Sequence, residues 1–308
     1  MGTPALAVPS LDALRAEHEI VAIATQPDKP AGRKKEPQPS PVKVRALELN
    51  IPVLQPERAR DESFIETLRQ FSPEAIAVVA YGQILPLEIL EMPRANHPNG
   101  GCVNLHFSLL PRWRGAAPVQ YAIWRGDQKT GVSTQWMAEK LDAGDIILQR
   151  EITIEPNETA SELFERLTLP GAAVLLETLR LMEKGRAPRV PQNEAAATFA
   201  PTIKKEEGRI DWNKSATEIV NGVRALNSWP VAWCEWNGAP LKIWRASAVP
   251  SPTKQYSAGE IIECREEIIV TAGEDAVKLE EVQAPGRPRL QAMDWARGAR
   301  LEKGGQLQ

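Results

Sequence analysis

Two unbroken apolar runs limit the possible folds of this chain more than any other feature. They lie within the strand-like segments 19–25 and 75–80 and consist of Ala, Ile and Val, with helix-like patterns at 41–49, 61–71 and 160–183 between and after them. Strands without polar alternation are typical of parallel sheets covered by helices on both faces. The pattern predicts a doubly wound, Rossmann-like, mostly parallel α/β sheet, with its functional site at the carboxyl ends of the strands.

The C-terminal third follows a different pattern. Residues 185–205 contain three prolines among small and polar residues, which favours a linker. Beyond them, short strand-like runs separated by Gly and Asn indicate a small β-barrel. We therefore predict an α/β domain over residues 1–184, a linker over 185–205 and a β-barrel domain over 206–308.

Charge and cysteine content exclude several classes of protein. The 308 residues carry 37 basic and 40 acidic side chains, a net charge of −3, so any RNA contact must use local patches rather than a uniformly basic surface. The three cysteines lie far apart, which argues against a disulfide framework or a zinc site. Without a secretory pattern or a long apolar run, the sequence predicts a cytoplasmic protein with no membrane segment.

Residues 102–107 form a strand-like run after a Gly-Gly turn, and they carry the most reactive pair of side chains. Because strand side chains alternate between faces, Asn104 and His106 point the same way, ~7 Å apart. An amide can donate to a developing oxyanion, and an imidazole can move a proton. This pair indicates acyl chemistry at a strand end.

From Asn104 the chain reads Asn-Leu-His-Phe-Ser-Leu-Leu-Pro-Arg-Trp-Arg-Gly-Ala-Ala-Pro. This stretch strongly resembles the folate-dependent formyltransferases, enzymes that carry a formyl group from 10-formyltetrahydrofolate to an amine. Further motifs, in the family's order, resemble the branch that acts on methionyl initiator tRNA; they lie at residues 1–4, 25–33, 40–43, 141–145 and 210–212. The resemblance implies 10-formyltetrahydrofolate as donor, methionyl initiator tRNA as partner, an OB-like, tRNA-binding C-terminal barrel and no metal.

The resemblance also implies a catalytic trio of Asn104, His106 and Asp142. Asp142 lies 36 residues after His106, in a Leu-Asp-Ala-Gly-Asp loop. Taken alone, this pair would be only a weak signal of catalysis, and a capped loop beside a partly buried histidine would be the more common interpretation. Within the family motif, Asn104 and His106 are expected to stabilise the anionic oxygen of a tetrahedral intermediate, and His106 with Asp142 to move protons.

Two further sets of residues are expected to bind substrates. The resemblance assigns the folate site to a turn with two leucines, namely Ser108, Leu109, Leu110 and Pro111. It assigns the tRNA acceptor end to a basic, proline-rich loop, with contacts expected from Arg33, Lys34, Lys35 and Lys43. An isolated charge run of this kind is more often a solvated loop, and here Lys34-Lys35-Glu36 departs from the family's Gly-Lys-Lys. A second basic patch is possible near the C-terminus, and we expect the protein to act as a monomer.

Family members usually begin with an apolar strand that leads into Met-Gly-Thr-Pro, whereas this sequence begins at that methionine. We therefore expect the central first strand to be missing and the chain as written to be unstable or poorly active. Three other activities stay open: formyl transfer to a sugar nucleotide, formyl transfer to glycinamide ribonucleotide, and RNA binding by a truncated, non-catalytic relative. A dinucleotide dehydrogenase is disfavoured, since no Gly-x-Gly-x-x-Gly follows an early strand.

Overall fold

The computed structural model describes residues 1–31, 36–251 and 256–308. Its strands are β1 Ile23–Ala24, β2 Lys29–Ala31, β3 Glu36–Gln38, β4 Val53–Leu54, β5 Ala75–Val79, β6 Gly101–His106, β7 Lys129–Trp136, β8 Ile146–Thr153, β9 Ala232–Trp236, β10 Ala239–Val249, β11 Ile261–Glu263, β12 Ile268–Thr271, β13 Ala276–Gln283 and β14 Leu290–Gln291. Its α-helices are α1 Val8–Arg15, α2 Pro41–Glu48, α3 Glu62–Gln70, α4 Leu87–Asn96, α5 Pro118–Trp124, α6 Ala160–Glu183, α7 Ala216–Ala225 and α8 Ala292–Ala299.

The chain forms two compact units. The first comprises Met1–Pro118, Thr130–Thr153 and Phe164–Ala200, and the second comprises Val119–Lys129, Ile154–Leu163 and Pro201–Gln308. The predicted domain boundaries stay a prediction. Much of the expected linker belongs to the first unit, because its backbone pairs there: Val190 forms an antiparallel bridge with Ile146, and Phe199 a parallel bridge with Arg114.

The main sheet of the first unit has the order β5-β6-β7-β8. Strands β5 and β6 are parallel and β6 and β7 antiparallel, while a separate parallel pair joins β1 to β4. Strand β6 is almost wholly buried, as expected for a strand inside a sheet. These parallel strands with intervening helices confirm the predicted Rossmann-like α/β class.

A gap separates the two parts of this sheet. Between β1 and β5 lies a cavity of about 420 Å³, lined by residues 19–24 and 75–77 and by Val79. The first residues of the chain reach across it: the Gly2 N–H donates to the Ala24 carbonyl at 3.0 Å, and the Met1 carbonyl accepts from Val79 N–H at 2.9 Å. The predicted strand over 19–25 is thus shortened to Ile23–Ala24, because in the described residues it has a partner strand only on its β4 side.

The second unit is built on an antiparallel sheet in the order β11-β12-β13-β10-β9, with β14 on β13, and this sheet curls into a half barrel. Register shifts around Arg245 mark an irregularity in β10, a feature that increases the local bend and twist of a strand. Helices α7 and α8 contribute Val223 and Trp295 to the apolar core. The predicted C-terminal β-domain is confirmed.

Candidate active site

Strand β6 holds the two side chains that alternation places on one face. Asn104 pairs with Val78 of β5 and Gln135 of β7, so it lies between two neighbouring strands near the carboxyl end of β5. Asn104 is half-buried, whereas the His106 side chain is only 6% exposed. The amide is therefore the more accessible of the two groups.

The two ring nitrogens of His106 have different neighbours. Nε2 lies 2.8 Å from the carbonyl oxygen of Trp113, within the buried interior. Since a carbonyl can only accept, Nε2 carries the ring proton and donates it. The neutral ring then has its lone pair on Nδ1, which lies 3.7 Å from Oδ2 of Asp142.

Asp142 is brought to this pair and held there by several donors. Its Oδ2 accepts from the Gly115 N–H at 2.8 Å, and its Oδ1 accepts from Gln135 Nε2 at 3.0 Å and from Asn104 Nδ2 at 3.4 Å. The Asp142 side chain is 8% exposed. Asn104, His106 and Asp142, predicted as a trio, are thus adjacent in the structure.

The backbone around Asp142 is tightly confined. Asp142 itself has φ 51°, in the left-handed region that costs a non-glycine residue roughly 1–3 kcal/mol. Gly144 passes so close to β7 that a Cβ there would lie 1.7 Å from the Trp136 carbonyl oxygen. Only glycine fits at this position, which explains the glycine of the Leu-Asp-Ala-Gly-Asp loop.

Sequence reasoning missed two glutamines and an arginine that surround this loop. Gln135 contacts the Asp142 carboxylate, and Gln192 donates to the Asp142 and Gly144 carbonyls at 2.9 and 2.7 Å. Arg114, buried to 2% exposure, donates to Gln192 and to Glu194. Arg114 and Lys140, through hydrogen bonds to the Glu194 carboxylate, lower its pKa to about 2.

The segment predicted to bind folate is anchored from within the protein. Ser108 and Leu110 are buried and Leu109 and Pro111 half-buried. The Leu110 N–H donates to the Ser133 hydroxyl at 3.1 Å, and Gln149 Nε2 donates to the Leu110 carbonyl at 2.9 Å. The folate assignment stays a prediction, and within it Leu109 and Pro111 are the more accessible residues.

Of the residues predicted to bind tRNA, only Lys43 lies within the described part of the chain. Arg33, Lys34 and Lys35 fall outside the described residues. Lys43 Nζ donates to Asp28 at 2.7 Å, and Gln55 donates to the other Asp28 oxygen at 2.8 Å. Lys43 therefore ties helix α2 to the loop after β1, and its role toward tRNA stays a prediction.

Several other chemistries find no support in the described residues. They contain no group of three or more His, Cys, Asp or Glu side chains arranged to hold a metal ion. Burial raises the pKa of the Cys102 thiol and of the Cys234 thiol to about 12, so neither is poised as a nucleophile. No helix in this part of the chain combines the length and apolar character required to cross a membrane.

Family models cover most of the chain. One described as formyl transferase matches residues 1–179, and one described as formyl transferase, C-terminal domain, matches residues 202–300. A methionyl-tRNA formyltransferase of Moorella thermoacetica is 48% identical over 300 residues, which span 97% of this chain and 94% of that protein. The methionyl-tRNA formyltransferase of Bacillus pumilus is 45% identical over 310 residues, spanning 100% of this chain and 96% of that protein.

Solved structures share the fold at lower identity. A sugar 3N-formyl transferase superposes with a TM-score of 0.65 at 19% identity, covering 93% of this chain and 97% of its own. An N-formyltransferase from Helicobacter canadensis, in complex with folinic acid and dTDP-3-aminofucose, has a TM-score of 0.65 at 18% identity, covering 90% and 97%. These two likenesses show the fold alone. With both family models and full-length relatives in agreement, the chain belongs to the formyl transferase family, which confirms the family that its motifs predict.

Proposed function

We propose that this chain transfers a formyl group from 10-formyltetrahydrofolate to the α-amine of methionyl initiator tRNA. The observation that carries this proposal is the adjacency of Asn104, His106 and Asp142, with Nδ1 of His106 beside the carboxylate. The full-length relatives at 45% and 48% identity, both named methionyl-tRNA formyltransferases, support the choice of acceptor.

The trio supplies an oxyanion donor and a proton carrier. The amine nitrogen attacks the formyl carbon, a C–N bond forms, and the carbonyl oxygen becomes anionic. Asn104 has a second amide N–H beyond the one directed at Asp142, and this N–H donates to the oxygen. A single donor of this kind is worth roughly a hundred- to a thousand-fold in rate.

Proton transfer is assigned to Nδ1 of His106. Because Nε2 already donates to Trp113, Nδ1 is the nitrogen with a free lone pair. It accepts the proton that leaves the attacking amine, and Asp142, 3.7 Å away, stabilises the imidazolium that forms. The same proton then passes to N10 of the folate as the bond between N10 and the formyl carbon breaks.

The proposed folate site suits a flat heterocycle. Leu109 and Pro111 are half-buried beside buried Leu110, which offers an apolar surface next to the polar trio. When bound there, the donor supplies an activated formyl group, while Asn104 and His106 orient that group and His106 delivers the amine proton to the leaving N10.

Binding of tRNA is assigned to local basic surfaces, as the net charge of −3 requires. In the second unit the exposed Arg289 guanidinium stacks 3.2 Å above the buried Trp244 ring, which holds a positive charge at the surface where a phosphate can approach. Arg287, Arg297, Arg300 and Lys303 lie close to it in sequence. That the chain acts as a monomer in the cytoplasm stays a prediction.

Parallel formyl-transfer assays test which acceptor the chain uses. The purified chain is given 10-formyltetrahydrofolate with methionyl initiator tRNA or with a dTDP-amino sugar. We expect formylated tRNA only, with a KM for tRNA that rises steeply with salt while the KM for folate stays nearly constant. Formylation of the amino sugar alone would move the chain to the sugar-nucleotide branch, and folded protein that formylates neither acceptor would refute the activity.

A further inference from the structure

Gln192 lies between a buried arginine and the loop that carries Asp142. Its Oε1 accepts from Arg114 Nε at 3.0 Å and from Arg114 Nη2 at 2.8 Å. Its Nε2 donates to the Asp142 carbonyl at 2.9 Å, to the Gly144 carbonyl at 2.7 Å and to Gln135 Oε1 at 3.2 Å.

The chemistry of the neighbours fixes the orientation of the Gln192 amide. A guanidinium only donates, so the amide oxygen must face Arg114, and the amide nitrogen must then face the two carbonyls. A glutamate at this position could accept from Arg114 but could not donate to a carbonyl. A glutamine is therefore suited to both contacts at once.

Asp142 needs such external support. Its φ of 51° is an unfavourable conformation for a non-glycine residue, which persists only where the surroundings impose it. Gln192 Nε2 donates hydrogen bonds to the carbonyls of Asp142 and Gly144, the residues on either side of Ala143. The carboxylate is thereby held 2.8 Å from the Gly115 N–H and 3.7 Å from Nδ1 of His106.

We propose that Gln192 is a positioning residue for formyl transfer, which acts by holding Asp142 against His106. This proposal rests on the proposed function for its kinetic consequence. Its structural consequence does not depend on the acceptor: without the two donated hydrogen bonds, Asp142 leaves the Gly115 N–H.

The substitution Gln192→Glu separates the two halves of the contact. It keeps an acceptor for Arg114 and removes both donors to the loop, while Gln192→Met removes donor and acceptor without adding charge. The matched control is Asn193→Asp, the same amide-to-acid change at the next residue, where the side chain only accepts from the Ala195 N–H.

We expect Gln192→Glu to lower kcat at least about tenfold, with both KM values within about twofold. Gln192→Met should lower kcat by a similar factor and should also lower the melting temperature, because it leaves the buried Arg114 without the acceptor at Gln192. Asn193→Asp should match wild type. In an Asp142→Asn background the Gln192→Glu change should cost less than about twofold, because residues that act through one another are not additive. Wild-type kcat in Gln192→Glu, or a full tenfold loss in the Asp142→Asn background, would overturn the proposal.

Amide hydrogen exchange at Gly115 gives a test that needs no substrate. We expect exchange of the Gly115 N–H to quicken at least about tenfold in Gln192→Glu and to stay unchanged in Asn193→Asp. Unchanged exchange in Gln192→Glu would reject the positioning role even if the wild-type chain formylated neither acceptor, so failure of the inference and failure of the proposed function are read separately.

Discussion

At the residue scale, His106 combines a fixed nitrogen and a free one. The buried hydrogen bond from Nε2 to Trp113 keeps the ring in one tautomer and one orientation. Nδ1 therefore faces the Asp142 carboxylate without the need to select a rotamer or tautomer in each turnover. This fixed orientation makes the ring a suitable proton carrier in the proposed reaction.

Replacement of His106 tests this assignment. We expect His106→Ala to lower kcat by at least about a hundredfold, since general acid–base catalysis contributes roughly 10² to 10⁴. The measurement is single-turnover formyl transfer from 10-formyltetrahydrofolate to methionyl initiator tRNA. The control is His97→Ala, at a residue whose ring accepts from the Asn99 N–H outside the candidate site. Near-normal turnover in His106→Ala would reject the mechanism.

The residues of the site differ in how far sequence reveals them. The shared face of Asn104 and His106 follows from strand alternation alone. Only the family resemblance connects Asp142 to them, because no local period links residues 36 positions apart. Gln192 lies in a polar, proline-containing stretch that resembles a linker. Its contacts depend on tertiary folding of that stretch against Arg114, so no local sequence signal marks it.

At the element scale, the strand that carries the site is packed very closely by a helix. A Cβ built on Gly171 of α6 would lie 3.0 Å from Leu105 Cδ2, on the strand residue between Asn104 and His106. Glycine thus allows α6 to approach β6 without displacing Leu105. The packing of this helix and the geometry of the catalytic face are directly connected.

Enlarging Gly171 should disturb both stability and catalysis. We expect Gly171→Val to destabilise the protein by about 1–3 kcal/mol through overpacking and to lower kcat, because Leu105 must shift. Urea unfolding and formyl-transfer rates measure the two effects. The matched control is Gly298→Val at an exposed position of α8, where nothing lies within 4 Å of the added Cβ. Equal stability of the two variants would show that the close contact is unimportant.

The helices and strands also differ in how well the sequence pattern of polar and apolar residues predicts them. Helix α2 begins at Pro41, as the predicted range 41–49 requires, and the structure adds a cap in which the Ser40 hydroxyl accepts from the Lys43 N–H. Strand β7, next to β6, lay outside the predicted set because its buried positions include Thr130, Ser133, Thr134 and Gln135, at 3% exposure or less. Burial of polar side chains such as these leaves no hydrophobic period to detect.

At the scale of the whole molecule, the gap between β1 and β5 lowers the stability of the folded state. The edges of both strands line the cavity, and the α-amine of Met1 is buried there, donating to the Ala77 carbonyl at 2.6 Å. Burial lowers the pKa of this amine from 8.0 to about 6. Unpaired strand edges and a buried amine both count against the folded state.

The free-energy cost of burying the Met1 amine depends on pH. The folded protein favours the neutral amine, so between pH 6 and 8 the unfolded chain binds more protons and stability rises with pH. A lowering of the pKa from 8.0 to about 6 corresponds to about 3 kcal/mol of destabilisation, which is fully present below pH 6 and absent above pH 8.

An engineered extension tests both effects together. Five Val and Ile residues, the length of β5, are fused before Met1; a Gly and Ser extension of equal length is the control. Either extension turns the amine into a peptide N–H that can still donate to Ala77, so both should abolish the rise in stability between pH 6 and 8.

Only the apolar extension can pair with both strand edges and fill the cavity. We therefore expect it alone to raise the melting temperature, by several degrees, and to quench amide exchange in β5. Equal melting temperatures for the two extensions would show that the cavity does not accept a strand, and a pH dependence retained in both would place its origin away from Met1.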